Sequence, residues 1–342
     1  MACVHPVVQH AHHYGLMPSD IGVKVHEPNS ADPVNSSRPA LNGTRQSATV
    51  QNDEECSVDH FQRTIKSFLE GSAFNPPQID PSRIVEIQRA ATHHVTALRW
   101  DPPAIQRATK IISWVCDGTI RSYNHLSDSA LRGITIFNTF LFLVDDISAQ
   151  ISPDLRVFAT DLMARRDPSN PILRSLLDFL PSMRVHCGPV ATDMLLVTTL
   201  DFFNGCLLEL RPDDYRGDRI RGAVDFPPGF RLKTEETWLG VYQPYISSLI
   251  DLINSLNDWF PFYKASILGD ESANFTCNRA KAEGILGEES LVRTKARTVQ
   301  CLRVVREGFK GYPELLGAVE GFVSGLIAYH VTSPRYKLGR ML

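Results

Sequence analysis

The chain has 342 residues, 43% of them hydrophobic, a formal net charge of -3 and seven cysteines. That apolar content supports a sizeable core in one large domain or two small ones. The near-neutral charge excludes the basic footprint that nucleic acid requires. No run approaches about 18 apolar residues, so no membrane span is expected. The opening Met1-Ala-Cys-Val-His-Pro6 lacks the charged and apolar regions of a secretory signal. Cysteines 3, 56, 116, 187, 206, 277 and 301 are odd in number, scattered and never spaced as CxxC. They read as free thiols in a reducing, cytoplasmic compartment rather than as a disulfide framework or a zinc site.

Residues 1–56 are rich in Pro, Ser, Asn and His and poor in Leu, Ile, Phe and Trp. Such a composition does not offset the entropy of ordering, so the segment is expected to be a disordered tail. From residue 57 the pattern changes. Apolar residues recur at spacings of three and four over residues 60–69, 81–98, 104–123, 127–144, 171–180, 190–210, 246–260, 289–309 and 313–330, which predicts helices. Prolines fall mostly between these segments or at their starts, where they begin or separate helices. Alternating β-branched runs are scarce. The expected fold class is all-α, with one domain over residues 57–342.

Two helix ends carry the candidate chemistry. The run from Ile134 to Val144 is apolar almost all round, and Asp145-Asp146 follows it directly. An aspartate at the end of a buried helix needs a compensating partner, and Mg2+, a hard cation favouring carboxylate oxygen, is one. A loop-exposed acidic pair following a core helix is the plainer alternative. In the second run Ile246, Ile250, Ile253 and Asn257 share a stripe that continues at 261 and 265. A metal-binding helix would place oxygen donors at those positions, where this chain has Pro261 and Ala265. Arg231 follows Asp225-Phe-Pro-Pro-Gly-Phe230, and Arg335-Tyr336 stands near the end of the chain. Guanidinium is the natural bidentate holder of phosphate oxygens, and a tyrosine hydroxyl adds a donor.

Taken together and in order, Phe142-Leu-Val-Asp145-Asp146, Thr199-Leu-Asp-Phe-Phe-Asn-Gly-Cys206, Asp225-Phe-Pro with Arg231, Asn257-Asp258 with Phe262-Tyr-Lys264, and Arg335-Tyr336 resemble the trichodiene synthase family of fungal sesquiterpene cyclases. The resemblance covers residues 57–342. It implies a class I terpenoid synthase helical bundle, farnesyl diphosphate as substrate, three Mg2+ ions and a homodimer. By the same resemblance Asp145 would bind metal and Asp146 would pair with Arg335 on closure. Asn257 would be a ligand of the second metal motif, and Arg231, Lys264, Arg335 and Tyr336 would hold the diphosphate. Phe137, Phe202 and Phe203 would be candidates for the wall of an aromatic pocket.

The chain departs from the family pattern in the second motif, where Pro261 and Ala265 replace a serine and a glutamate. It departs again between Arg231 and Asn257, which lie only 26 positions apart. These departures raise a second reading, a relative that binds isoprenoid diphosphate or a partner without turnover.

Overall fold

Short polar caps and prolines set the helix starts. Asp80 accepts from the backbone N–H of Ser82 at 2.9 Å beside Pro81. Asp101 accepts from Ala104 at 2.8 Å beside Pro102, and Asn170 from Ile172 at 2.9 Å beside Pro171. Each proline occupies a first-turn position whose N–H would have no intrahelical partner, and the cap satisfies a neighbouring donor.

The computed structural model describes residues 58–72, 74–210, 241–262 and 275–340, all within a unit spanning Val50–Leu342. Among the described residues there are helices and no strand. The helices are α1 (Val58–Gly71), α2 (Pro81–Thr96), α3 (Pro102–Ser122), α4 (Asp128–Ile147), α5 (Ser152–Met163), α6 (Pro171–Phe179) and α7 (Arg184–Glu209). They continue with α8 (Ile246–Trp259), α9 (Phe275–Glu283), α10 (Gly287–Gly308) and α11 (Pro313–Thr332). The expected tail, together with Arg231, Lys264 and Ala265, lies outside the described residues.

Nine of these helices were legible as apolar periodicity, and two were not. α5 buries only Leu155 and Phe158, and α9 is short and largely polar. Neither presents a stripe long enough to register. α7 begins earlier than its apolar run implies, because Gly188 adopts φ 72 and breaks the helix, and Pro189 starts the long portion.

α4 is the central helix of one layer. It is buried on nearly every face, packs against α2, α3, α6 and α7, and satisfies its buried Thr135 and Thr139 hydroxyls on the carbonyls of Leu131 and Thr135 at 2.8 and 2.7 Å. Arg83 staples the α3–α4 turn, donating to Asp128 at 2.6 Å, to the Asn124 carbonyl at 2.8 Å and to the Leu126 carbonyl at 2.6 Å.

α11 lies across α3. Their approach is so close that a Cβ on Gly325 would collide with the Arg121 carbonyl, and one on Gly118 would meet the Tyr329 ring at 3.3 Å. α11 and the stretch Pro171–Leu207 are long and apolar enough to cross a membrane by length and composition, which a search for unbroken apolar runs overlooks. In α11, 61% of that window is buried within the bundle, as in the core helix of a globular domain. α8 and α10 form the other layer with α1. Phe68 of α1 packs edge-on against Trp259 of α8 at 4.8 Å between ring centroids.

Candidate active site

α4 runs one turn past its apolar stretch and ends at Ile147, so Asp145 and Asp146 sit in its last turn and are exposed. They are helical, not part of a following loop. A helix C-terminus carries partial negative charge, and the last turn of α4 holds no basic residue. Two carboxylates at that end are electrostatically mismatched and favour a cation. The Asp145 carboxylate accepts from the Cys206 thiol of α7 at 3.8 Å. Arg107 of α3 donates to the backbone carbonyl of Asp146 at 3.4 Å, and the Asp146 carboxylate forms no ion pair among the described residues.

The neighbouring faces of α3 and α4 continue this arrangement. Phe142, one turn before Asp146, meets the half-buried Trp114 ring at 4.5 Å in an edge-on contact. The guanidinium carbon of Arg335 stands 4.2 Å from the centre of that Trp114 ring. Arg335 is thereby brought to the α3–α4 face that carries the acidic pair. It is not ion-paired with Asp146 here; its guanidinium rests on the indole instead.

Tyr336 points to the other layer. Its ring packs on His330 at 4.6 Å and edge-on against Tyr329 at 5.7 Å. His330 in turn stacks at 5.3 Å and 19° on Phe260, three residues beyond Asn257. Burial pushes the His330 imidazole down to about 4, and its Nδ1 lies 2.8 Å from the Leu326 carbonyl. Burial also raises the Tyr329 phenol well above its ordinary value. Adjacent residues Arg335 and Tyr336 are thus linked to two helices through intermediaries: Arg335 through Trp114 and Phe142 to α4, and Tyr336 through His330 to Phe260 at the end of α8.

The second helix end is weaker than the first. Asn257 is exposed on α8 and Asp258 is half-buried. α8 stops at Trp259, and Pro261 occupies a turn. The stripe expected to run on through 261 is cut short, because proline lacks the N–H that would continue the helix. Among the described residues no three His, Cys, Asp or Glu side chains cluster as a metal-binding group. The donor chemistry thus fits a hard cation at Asp145 and Asp146, and offers the neutral amide of Asn257 as the exposed donor at the end of α8.

Of the candidate wall aromatics, Phe137 is core. Phe203 packs edge-on against Phe158 of α5 at 5.0 Å, while Phe202 stays half-buried. Sequence reasoning missed Arg107, Trp114 and His330, and gave Cys206 as the end of the Thr199–Cys206 block without a role. The available signal was that Arg107 and Trp114 lie seven apart on one face of a predicted helix.

Residues 86–234 match the trichodiene synthase family model. The chain is 25% identical over 281 residues to an (E)-beta farnesene synthase of Metarhizium brunneum, covering 76% of this chain and 82% of the relative. It is 23% identical over 317 residues to the trichodiene synthase of Trichoderma arundinaceum, covering 84% and 80%. The chain is a terpene cyclase related to the trichodiene synthases. An alpha-cuprenene synthase of Coprinopsis cinerea also matches this cyclase, at 25% identity over 65% of the chain and 72% of the relative. Among solved structures, the linalool/nerolidol synthase of Streptomyces clavuligerus superimposes with a TM-score of 0.57 at 16% identity, over 75% of this chain and 96% of that one. That likeness establishes the all-α terpenoid synthase fold of the cyclase.

Proposed function

We propose that this cyclase ionises farnesyl diphosphate in a Mg2+-dependent step and cyclises the resulting allylic cation. The observation that carries the reading is the reach of one dipeptide: Arg335 stacks on Trp114 of α3, which meets Phe142 of the Asp145-Asp146 helix, and Tyr336 is joined through His330 to Phe260 at the end of the Asn257 helix. A solved neighbour was captured with 2-fluorogeranyl diphosphate, and curated relatives are named for farnesene, trichodiene and cuprenene.

Ionisation breaks the allylic C–O bond heterolytically, and the electron pair leaves with diphosphate. Bound Mg2+ would neutralise the charge that builds on the leaving group. Asp145 and Asp146 would hold the cation with carboxylate oxygens, and Asn257 would add an amide oxygen. Arg335 and Tyr336 would donate to the diphosphate oxygens, as would Arg231 and Lys264. Phe202 would face the cation with an aromatic surface, and exclusion of water would protect it.

The truncated donor stripe at Pro261 favours a second reading, a relative that binds the diphosphate without turnover. One experiment separates them: purified protein is incubated with farnesyl diphosphate and Mg2+, and both inorganic diphosphate and extractable hydrocarbon are measured. The cyclase reading expects both products, abolished by chelation. Tight Mg2+-dependent binding of farnesyl diphosphate without release would establish the second reading. Absence of binding by folded protein would overturn both.

A further inference from the structure

We propose that Trp114, braced by Phe142, is the positioning residue for Arg335, presenting the guanidinium to a diphosphate anion beside Asp145 and Asp146. The inference rests on the diphosphate-binding reading above and adds residues that reading does not contain.

Three observations support it. Arg335 follows α11 on an exposed stretch, where a long side chain samples many rotamers unless held. Its guanidinium carbon nevertheless lies 4.2 Å from the Trp114 ring centre. Among the described residues its side chain makes no hydrogen bond or ion pair, so its five N–H donors remain available to an incoming anion.

An aromatic face attracts the cation without consuming an N–H donor, which a carboxylate partner would do. The hold is therefore compatible with anion binding. Trp114 is itself fixed by the edge contact with Phe142 at 4.5 Å. Phe142 lies one helical turn from Asp146 on α4, so the brace ties the arginine to the helix that bears the acidic pair. A cation–π contact at a partly exposed site corresponds to about a two- to fivefold change in an equilibrium constant.

The test is calorimetric titration of the full chain with inorganic diphosphate in the presence of Mg2+. Trp114→Leu is expected to weaken binding about two- to fivefold, and Trp114→Phe, which keeps an aromatic face, by less than about twofold. Arg335→Ala is expected to weaken binding more, and adding Trp114→Leu to it should cost nothing further, because the indole then has no arginine to position.

Equal weakening by Trp114→Leu in the wild-type and Arg335→Ala backgrounds would overturn the proposal while leaving the diphosphate-binding reading intact. So would an unaltered affinity. Failure of the wild-type chain to bind Mg2+–diphosphate would overturn the underlying reading and the proposal with it. Indole emission supplies a readout that a merely structural role would not move. Arg335→Ala should change it in the wild-type background and not in Trp114→Phe. If Trp114→Leu does not fold, Trp114→Phe and Arg335→Ala still decide the matter through this emission difference, whose absence would overturn the proposal.

Discussion

The ends of α4 and α8 are built from the same idea and finished differently. Each is an apolar helix that runs through the bundle and delivers oxygen donors at its last turn. α4 continues past its apolar stretch and presents two exposed carboxylates at the negative end of its dipole. α8 presents Asn257 and stops two residues later at Trp259, before Pro261. One end concentrates charge that calls for a cation. The other ends before Pro261, the next position of its stripe. The difference shows that what a helix end offers depends on where the helix stops as much as on the residues in its last turn.

Removing the strong end should have the largest effect. Asp145→Ala is expected to lower Mg2+-dependent diphosphate release from farnesyl diphosphate by about a hundred- to a thousandfold, the range for losing a principal charge-stabilising group. A loss below tenfold would show that α4 is not the dominant end.

The second effect concerns the base of the weak end. His330 is held neutral by burial beneath Tyr336 and against Phe260. Its folded value of about 4 lies below the ordinary 6.5. Between those values the unfolded chain binds the proton and the folded chain does not, so stability is present above pH 6.5 and lost as pH falls toward 4. The full loss is on the order of 3 kcal/mol. Denaturant midpoints measured from pH 7 to pH 4 should fall for the wild type and flatten for His330→Phe. Parallel curves would remove His330 from the account.

Repairing the weak end is expected to have a more moderate effect. Pro261→Ser with Ala265→Glu restores a helix-compatible hydroxyl and a carboxylate at the expected spacing. The Mg2+ concentration for half-maximal diphosphate release should drop by about tenfold, equivalent to roughly 1.4 kcal/mol. No change would place the limitation in the short interval between Arg231 and Asn257.

The smallest effect should be Asn257→Ala in the native chain. Less than about a threefold loss is expected, since a neutral amide adds less to a dication than a carboxylate does. The same change in the repaired variant should cost about tenfold, because the asparagine then belongs to a complete donor set. Additive losses in the two backgrounds would break the comparison.

Much of the fold was legible because local rules agreed with the tertiary outcome. Prolines at 81, 102 and 171 stand at helix starts as the sequence implied, and the structure adds Asp80, Asp101 and Asn170 as the caps beside them. α5 and α9 escaped because their buried faces are only a few residues wide. The acidic pair and Arg335-Tyr336 were legible as chemical types in a familiar order. Their spatial arrangement was not. Trp114 is a single indole on an amphipathic helix, and only the crossing of α3 and α11 brings Arg335 onto it. Likewise, nothing in the local sequence of His330 shows that it will be sandwiched between Phe260 and Tyr336.

The contact at Gly325 gives α11 a fulcrum. Backbone meets backbone there, at Arg121, with no side chain able to take up slack. From that point the helix extends about 10 Å to its end at Thr332, and Arg335 follows three residues later. A tilt forced at the crossing by Gly325→Ala would be magnified along this lever arm, carrying the guanidinium off its indole. Gly325, about three turns of chain away from the guanidinium, would thus govern where Arg335 comes to rest through backbone contact alone.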